Sequence, residues 1–163
     1  MQTTKELFPI SLILDQKPCL VVGGGVIAER KTKKLLLTGA KLTIISPDSS
    51  VFIQEKAKLQ ALTFIQREFI KTDIRGFSLV FAATDSKETN KKIIKECNKK
   101  GILCCAVDKN WENGSFITPA SFSKESFTIS VSSNGKKCKD SKKIKNFLKS
   151  ALDKNNDHKL FKA

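Results

Sequence analysis

Leu20-Val21-Val22-Gly23-Gly24-Gly25-Val26-Ile27-Ala28 is the stretch whose residue types and order most directly prescribe chemistry. An apolar run entering a glycine cluster that opens a helix is how a nucleotide pyrophosphate is gripped. Glycine allows a tight turn and close backbone approach, while the first helical amides aim their unpaired N–H groups and dipole at the phosphates. Gly23-x-Gly25 fits the first half of GxGxxG, and Ala28 stands where a third small residue lets helix and strand pack closely. The acid expected about 20 residues on, at the tip of the second strand, comes late, as Asp48 in Ile45-Ser46-Pro47-Asp48. Asp48 is the candidate for the ribose. With no arginine beside it, NAD is expected over NADP.

Two more carboxylates follow apolar runs. Thr84 and Asp85 end FAATD, where open α/β sheets bind ligands, although Thr84, Asp85 or Ser86 would equally serve to cap the next helix. Asp108 ends ILCCAVD, and its apolar approach suits a carboxylate that moves protons; an aspartate opening a turn is the plainer reading. Other chemistries have little to stand on. The single histidine, His158, lies in a polar tail, and the five cysteines show no paired spacing for zinc or a disulfide framework, so no metal site is expected.

The elements that must position these groups alternate. PCLVVG, KLTIIS (41–46), a run near 62–66, SLVFAA and ILCCAV read as strands. Helical periodicity covers VIAERKTKKLLLTG, closed by Gly39, then Phe52 to Leu59 and Lys87 to Lys100. Such alternation predicts an α/β fold, a Rossmann-type parallel sheet with helices on both faces. An extended FPISLIL (8–14) precedes it. After Trp111 the pattern becomes two short β-like runs, and Ile144, Phe147, Leu148 and Leu152 then recur among lysines at helical spacing. The expected division is 1–112 for the nucleotide-binding domain, 113–135 for a β-rich segment and 136–163 for a lysine-rich helix and tail.

The 163 residues carry a net charge of +14, which draws anionic partners without choosing among nucleic acid, acidic membrane and polycarboxylate metabolite. No nucleic-acid motif is present, and eleven Phe with no Tyr suit a core better than a base-stacking platform. The amino terminus lacks the pattern of a secretory signal and no apolar run is long enough to span a bilayer, so a cytoplasmic protein is expected.

In order and spacing, FPISLIL, VVGGGVIAERKTKKLLLTGAKLTIISPD, FAATDSKETN, AVDKNWENGSFITPA and ISVSSNG resemble the NAD-dependent precorrin-2 dehydrogenases, including the bifunctional dehydrogenase/ferrochelatases of siroheme synthesis. The likeness covers residues 8 to about 135. It implies oxidation of precorrin-2 to sirohydrochlorin with NAD, and iron insertion in members that also chelate. It further implies that Val26, Ile27, Pro47 and Asp48 touch NAD, that Asp108 shuttles protons, and that a homodimer forms through the β-rich segment. Ser132 matches a serine phosphorylated in some members. The polycarboxylate tetrapyrrole gives the basic surface a purpose that needs neither nucleic acid nor membrane.

One departure stands out. Where that family continues its serine-glycine turn with Ser-Pro and a long helical region, this chain reads Asn134-Gly135-Lys136-Lys137-Cys138. A reduced substrate wall is expected, as is the lack of the methyltransferase domain of some relatives. Two other classes stand beside the dehydrogenase: a nucleotide-sensing module, which would bind NAD without using Asp108, and a nucleic-acid binder, which would show steeply salt-dependent affinity.

Overall fold

The computed structural model describes residues 6–107 and 113–154, so Asp108 and His158 lie outside the described residues. The chain forms two compact units, 10–116 and a second made from the described parts of 1–9 and 117–163.

In the first unit five strands pair in parallel in the order β3-β2-β1-β4-β5: β1 is Pro18–Val22, β2 Lys41–Ile45, β3 Thr63–Ile65, β4 Leu79–Ala82 and β5 Leu103–Ala106. The order reverses direction beside β1, which pairs with β2 from Pro18↔Lys41 to Val22↔Ile45 and with β4 from Cys19↔Leu79 to Val22↔Ala82. That reversal makes the carboxyl ends of β1, β2 and β4 the natural place for a ligand crevice.

Alternation along the strands builds two cores. Cys19, Val21, Leu42, Ile44 and Phe81 face α1 (Val26–Leu36) and α2 (Val51–Lys58), where Ala28, Leu35 and Ile53 meet them. Leu20, Val22, Val80 and Cys104 face the other way, against Ile93, Ile94 and Cys97 of α3 (Lys87–Lys99). Helices therefore cover both faces, as the strand pattern predicts. Each fully buried branched side chain contributes roughly 1.5–3 kcal/mol. The exposed i,i+4 pairs Lys33–Glu29 and Lys92–Glu88 add little beside that, because water and salt screen them.

The segment expected to be extended, 8–14, joins no strand, and Phe8 and Ile13 are exposed. The second unit holds an antiparallel pair, β6 (Ala120–Lys124) with β7 (Phe127–Val131), and α4 (Cys138–Lys154), which packs on both strands.

Lys31 is buried on α1, its ammonium 5.1 Å from the centre of the Phe81 ring. The ring face compensates part of the lost hydration, yet burial still pulls the ammonium pKa below its ordinary value.

A 3₁₀ turn at Lys71–Ile74 lacks any signal in the sequence pattern. Ile74 is fully buried against the α3 face, and Asp73 accepts two bonds from Arg67, both 2.7 Å, and one from the Ile70 N–H at 2.8 Å. The Arg67 guanidinium holds the Asp73 carboxyl below its ordinary pKa. A folded-state pKa below the unfolded one means that the folded chain binds fewer protons. The contribution is therefore complete above about pH 4 and is lost as pH falls through the folded value. Asp73→Asn is expected to lower the melting temperature at pH 7, with the gap to the unmodified chain narrowing as pH falls below about 4; a gap that stays constant down through the acid range would show that the carboxylate charge is not what matters.

Candidate functional site: a glycine-floored cleft at the carboxyl edge of the sheet

The cleft is built where three loops leave β1, β2 and β4. Gly23 has φ +120°, a value side chains rarely adopt, and a Cβ there would collide with the Ala83 carbonyl. At Gly24 a Cβ would strike the Asp48 carbonyl and the Ser49 Cα, and the Ser50 N–H donates to the Gly24 carbonyl at 2.9 Å. Both contacts are backbone against backbone, so no rotamer change relieves them. Gly25 differs, since a Cβ there would meet nothing within 4 Å.

Gly25 is also the N-cap of α1, with φ −78° and no side chain capping the helix. The first regular bond runs from the Glu29 N–H to the Gly25 carbonyl at 2.9 Å, leaving the amides of the opening turn unused by the helix. An uncapped helix start floored by a glycine is a fit for phosphate, held by backbone N–H groups and the helix dipole.

The cavity has a volume of about 680 Å³, of the size that takes a small ligand or much of a dinucleotide. It brings together most of the residues singled out from the sequence: Gly23, Gly24, Gly25, Val26, Pro47, Asp48, Thr84 and Asp85 all line it. Ile27, the next residue of α1, is not among its lining residues. The late position of Asp48 is accommodated because the loop after β2 folds back onto Gly24, carrying the acid to the same opening. Asp108 lies outside the described residues.

In the loop after β4 a helix cap and the cavity wall coincide at one residue. Ser86 is the N-cap of α3 and its hydroxyl accepts from the Thr89 N–H at 3.2 Å. Thr84 and Asp85 line the cavity, and so do Ser86 and Thr89 themselves.

Several contributors were not legible beforehand. Ser49, Ser50, Glu68 and Phe69 also line it, and the Ser49 hydroxyl oxygen is buried with no hydrogen-bond partner. An orphaned hydroxyl at a cleft wall costs free energy until something bonds it. Ser-Ser after Pro-Asp was a visible signal for a polar loop but gave no direction. Asn90, 1% exposed, is engaged with Thr84 and left no trace in the periodicity. Among the described residues no lysine or arginine lines the cavity, and the charged ones that do are Asp48, Glu68 and Asp85. Among the described residues, no group of three His, Cys, Asp or Glu could hold a metal ion, and no helix is long and apolar enough to cross a membrane.

Comparison with known proteins agrees with this geometry. Residues 10–120 match the model of a family described as NAD(P)-binding. Siroheme synthase 1 of Aeromonas salmonicida is 37% identical over 131 residues, and the siroheme synthase of Acinetobacter baylyi is 39% identical over the same length. Each alignment takes in 80% of this chain and 28% of the relative, so the chain spans less than a third of the curated proteins it matches. The solved structure of "SirC, precorrin-2 dehydrogenase" superposes with a TM-score of 0.79 at 28% identity, covering 89% of this chain and 71% of that one. The glycine floor, the open start of α1 and the strand order are thus those of a chain that belongs to the NAD(P)-binding family, with siroheme synthases among its sequence relatives and a precorrin-2 dehydrogenase among its structural ones.

Proposed function

We propose that this chain is an NAD-dependent precorrin-2 dehydrogenase, oxidising precorrin-2 to sirohydrochlorin. The observation that carries the reading is the uncapped α1 start above Gly25, open to a cavity of dinucleotide type, in a chain that superposes on a precorrin-2 dehydrogenase. When bound, the nicotinamide accepts a hydride from the tetrapyrrole. The backbone amides at Val26 and after hold the pyrophosphate, and Asp48 takes the ribose hydroxyls. Thr84 and Asp85 bound the path beyond the glycine turn. We assign to Asp108, two residues past β5 in the sequence, the removal of the proton that leaves with the hydride, so that substrate loses H⁻ and H⁺ together. The net charge of +14 favours encounter with a substrate bearing many carboxylates, and this reading involves a homodimer, a cytoplasmic setting and no nucleic acid.

The choice of NAD over NADP rests on charge at the ribose end. Asp48 and Glu68 both line the cavity, and Arg67, beside Glu68, is committed to Asp73 by two 2.7 Å bonds. A 2′-phosphate would meet carboxylates without a free guanidinium among these neighbours. The double variant Asp48→Asn/Glu68→Gln is expected to bring NADP affinity at least about tenfold closer to that for NAD, measured by calorimetric titration; unchanged discrimination would place selectivity elsewhere.

Two glycines separate fold from binding. Gly25→Ala is expected to lower the melting temperature by only a few degrees, the cost of a poorer N-cap, while weakening NAD at least about tenfold, since its methyl enters open cleft. Gly24→Ala is expected to lower the melting temperature as well, because its methyl meets the Asp48 backbone.

The activity is tested by anaerobic incubation with precorrin-2 and NAD, following NADH and sirohydrochlorin, for the unmodified chain and Asp108→Ala. Turnover by the unmodified chain alone supports the dehydrogenase and its base. NAD binding without turnover in either would make the chain a nucleotide-responsive module instead.

A further inference from the structure

An asparagine inside a helix is a poor helix former, and a buried carboxamide is costly unless its hydrogen-bonding groups are used. Asn90 sits in the first turn of α3, 1% exposed, and does not line the cavity. Its Oδ1 accepts from the Thr84 N–H at 3.2 Å and lies 2.8 Å from the Thr84 hydroxyl, while its Nδ2 donates to the Thr84 carbonyl at 2.9 Å. One side chain therefore engages the donor and the acceptor of a single residue's backbone, as well as its side chain.

Helix initiation does not account for this. Ser86 supplies the cap, and the Asn90 backbone N–H already bonds the Ser86 carbonyl at 3.0 Å. What the carboxamide fixes is the Thr84 peptide, the part of the cleft wall that Gly23 approaches so closely that a Cβ on the glycine would stand 3.1 Å from the Thr84 nitrogen. The peptide is thus held between the glycine turn in front and Asn90 behind.

We infer that Asn90 is a positioning residue for the dinucleotide: from inside α3 it sets the direction of the Thr84 peptide, and cofactor affinity depends on it although it does not line the cleft. The inference rests on the nucleotide reading given above and extends it to a residue behind the wall. Loss of the carboxamide leaves a buried N–H and C=O to find water, and the loop then moves toward the space the cofactor needs.

The test compares NAD dissociation constants, by calorimetry well below the melting temperature, for the unmodified chain, Asn90→Ala, Asn90→Asp and Ile94→Ala. Ile94 is buried in the same helix against the core and serves as a control for general destabilisation. Asn90→Ala is expected to weaken NAD at least about tenfold, and Asn90→Asp, which keeps the acceptor and loses the donor, by about threefold or more. Ile94→Ala should melt earlier and bind as the unmodified chain does. Equal affinity in Asn90→Ala, or equal losses in Asn90→Ala and Ile94→Ala at matched melting temperature, overturns the inference. Failure of the unmodified chain to bind NAD would instead overturn the reading on which it rests. Hydrogen exchange gives a readout without any substitution: the Thr84 amide of the unmodified chain is expected to be strongly protected, and rapid exchange there overturns the proposal even if no Asn90 variant folds.

Discussion

The site depends on three backbone segments meeting with no side chain between them. Gly23 touches the end of β4 and Gly24 touches the loop after β2, each so closely that a single methyl group would force the segments apart. Everything else is arranged to bring those segments to that distance. Parallel pairing of β1 with β2 and β4 sets their ends side by side, and the two cores clamp the sheet from both faces. The helices are held by burial, which is why the contact survives the many exposed charges around it.

Much of this was readable from the residues. LVV entering GGG and then a helical period located β1, the turn and α1 because hydrophobic periodicity and glycine are local signals. Alternation predicted a parallel sheet with ligand sites at its carboxyl edge, whereas the reversal of strand order at β1 is read only from the structure. What escaped was polar and long-range. Arg67 with Asp73, and Asn90 with Thr84, are pairs whose partners lie six residues apart across loops of no fixed period. Asp48 looked too late for its role until the β2 loop folded back onto Gly24. The apolar FPISLIL had the right composition for a strand and no neighbour to pair with, which no local rule reports.

Charge works on two scales here. The chain as a whole is strongly basic, whereas among the described residues those with charge that line the cavity are acidic. A field summed over the surface gathers anions, while the few groups within a Debye length of a bound ligand decide which anion stays. In the proposed nucleotide complex phosphate is left to backbone amides, whose partial charges are oriented and cannot be titrated away. Carboxylates at the ribose end remain free to discriminate by repulsion.

The cysteines offer a practical consequence of the packing. Cys19, Cys97, Cys104 and Cys105 are buried, and burial raises the Cys19 thiol pKa, whereas Cys138 at the start of α4 is exposed. A thiol-reactive dye or spin label added to the native chain should therefore attach at a single position. It would report on the smaller unit without any engineered substitution, and slower labelling of the remaining thiols would time the breathing of the sheet itself.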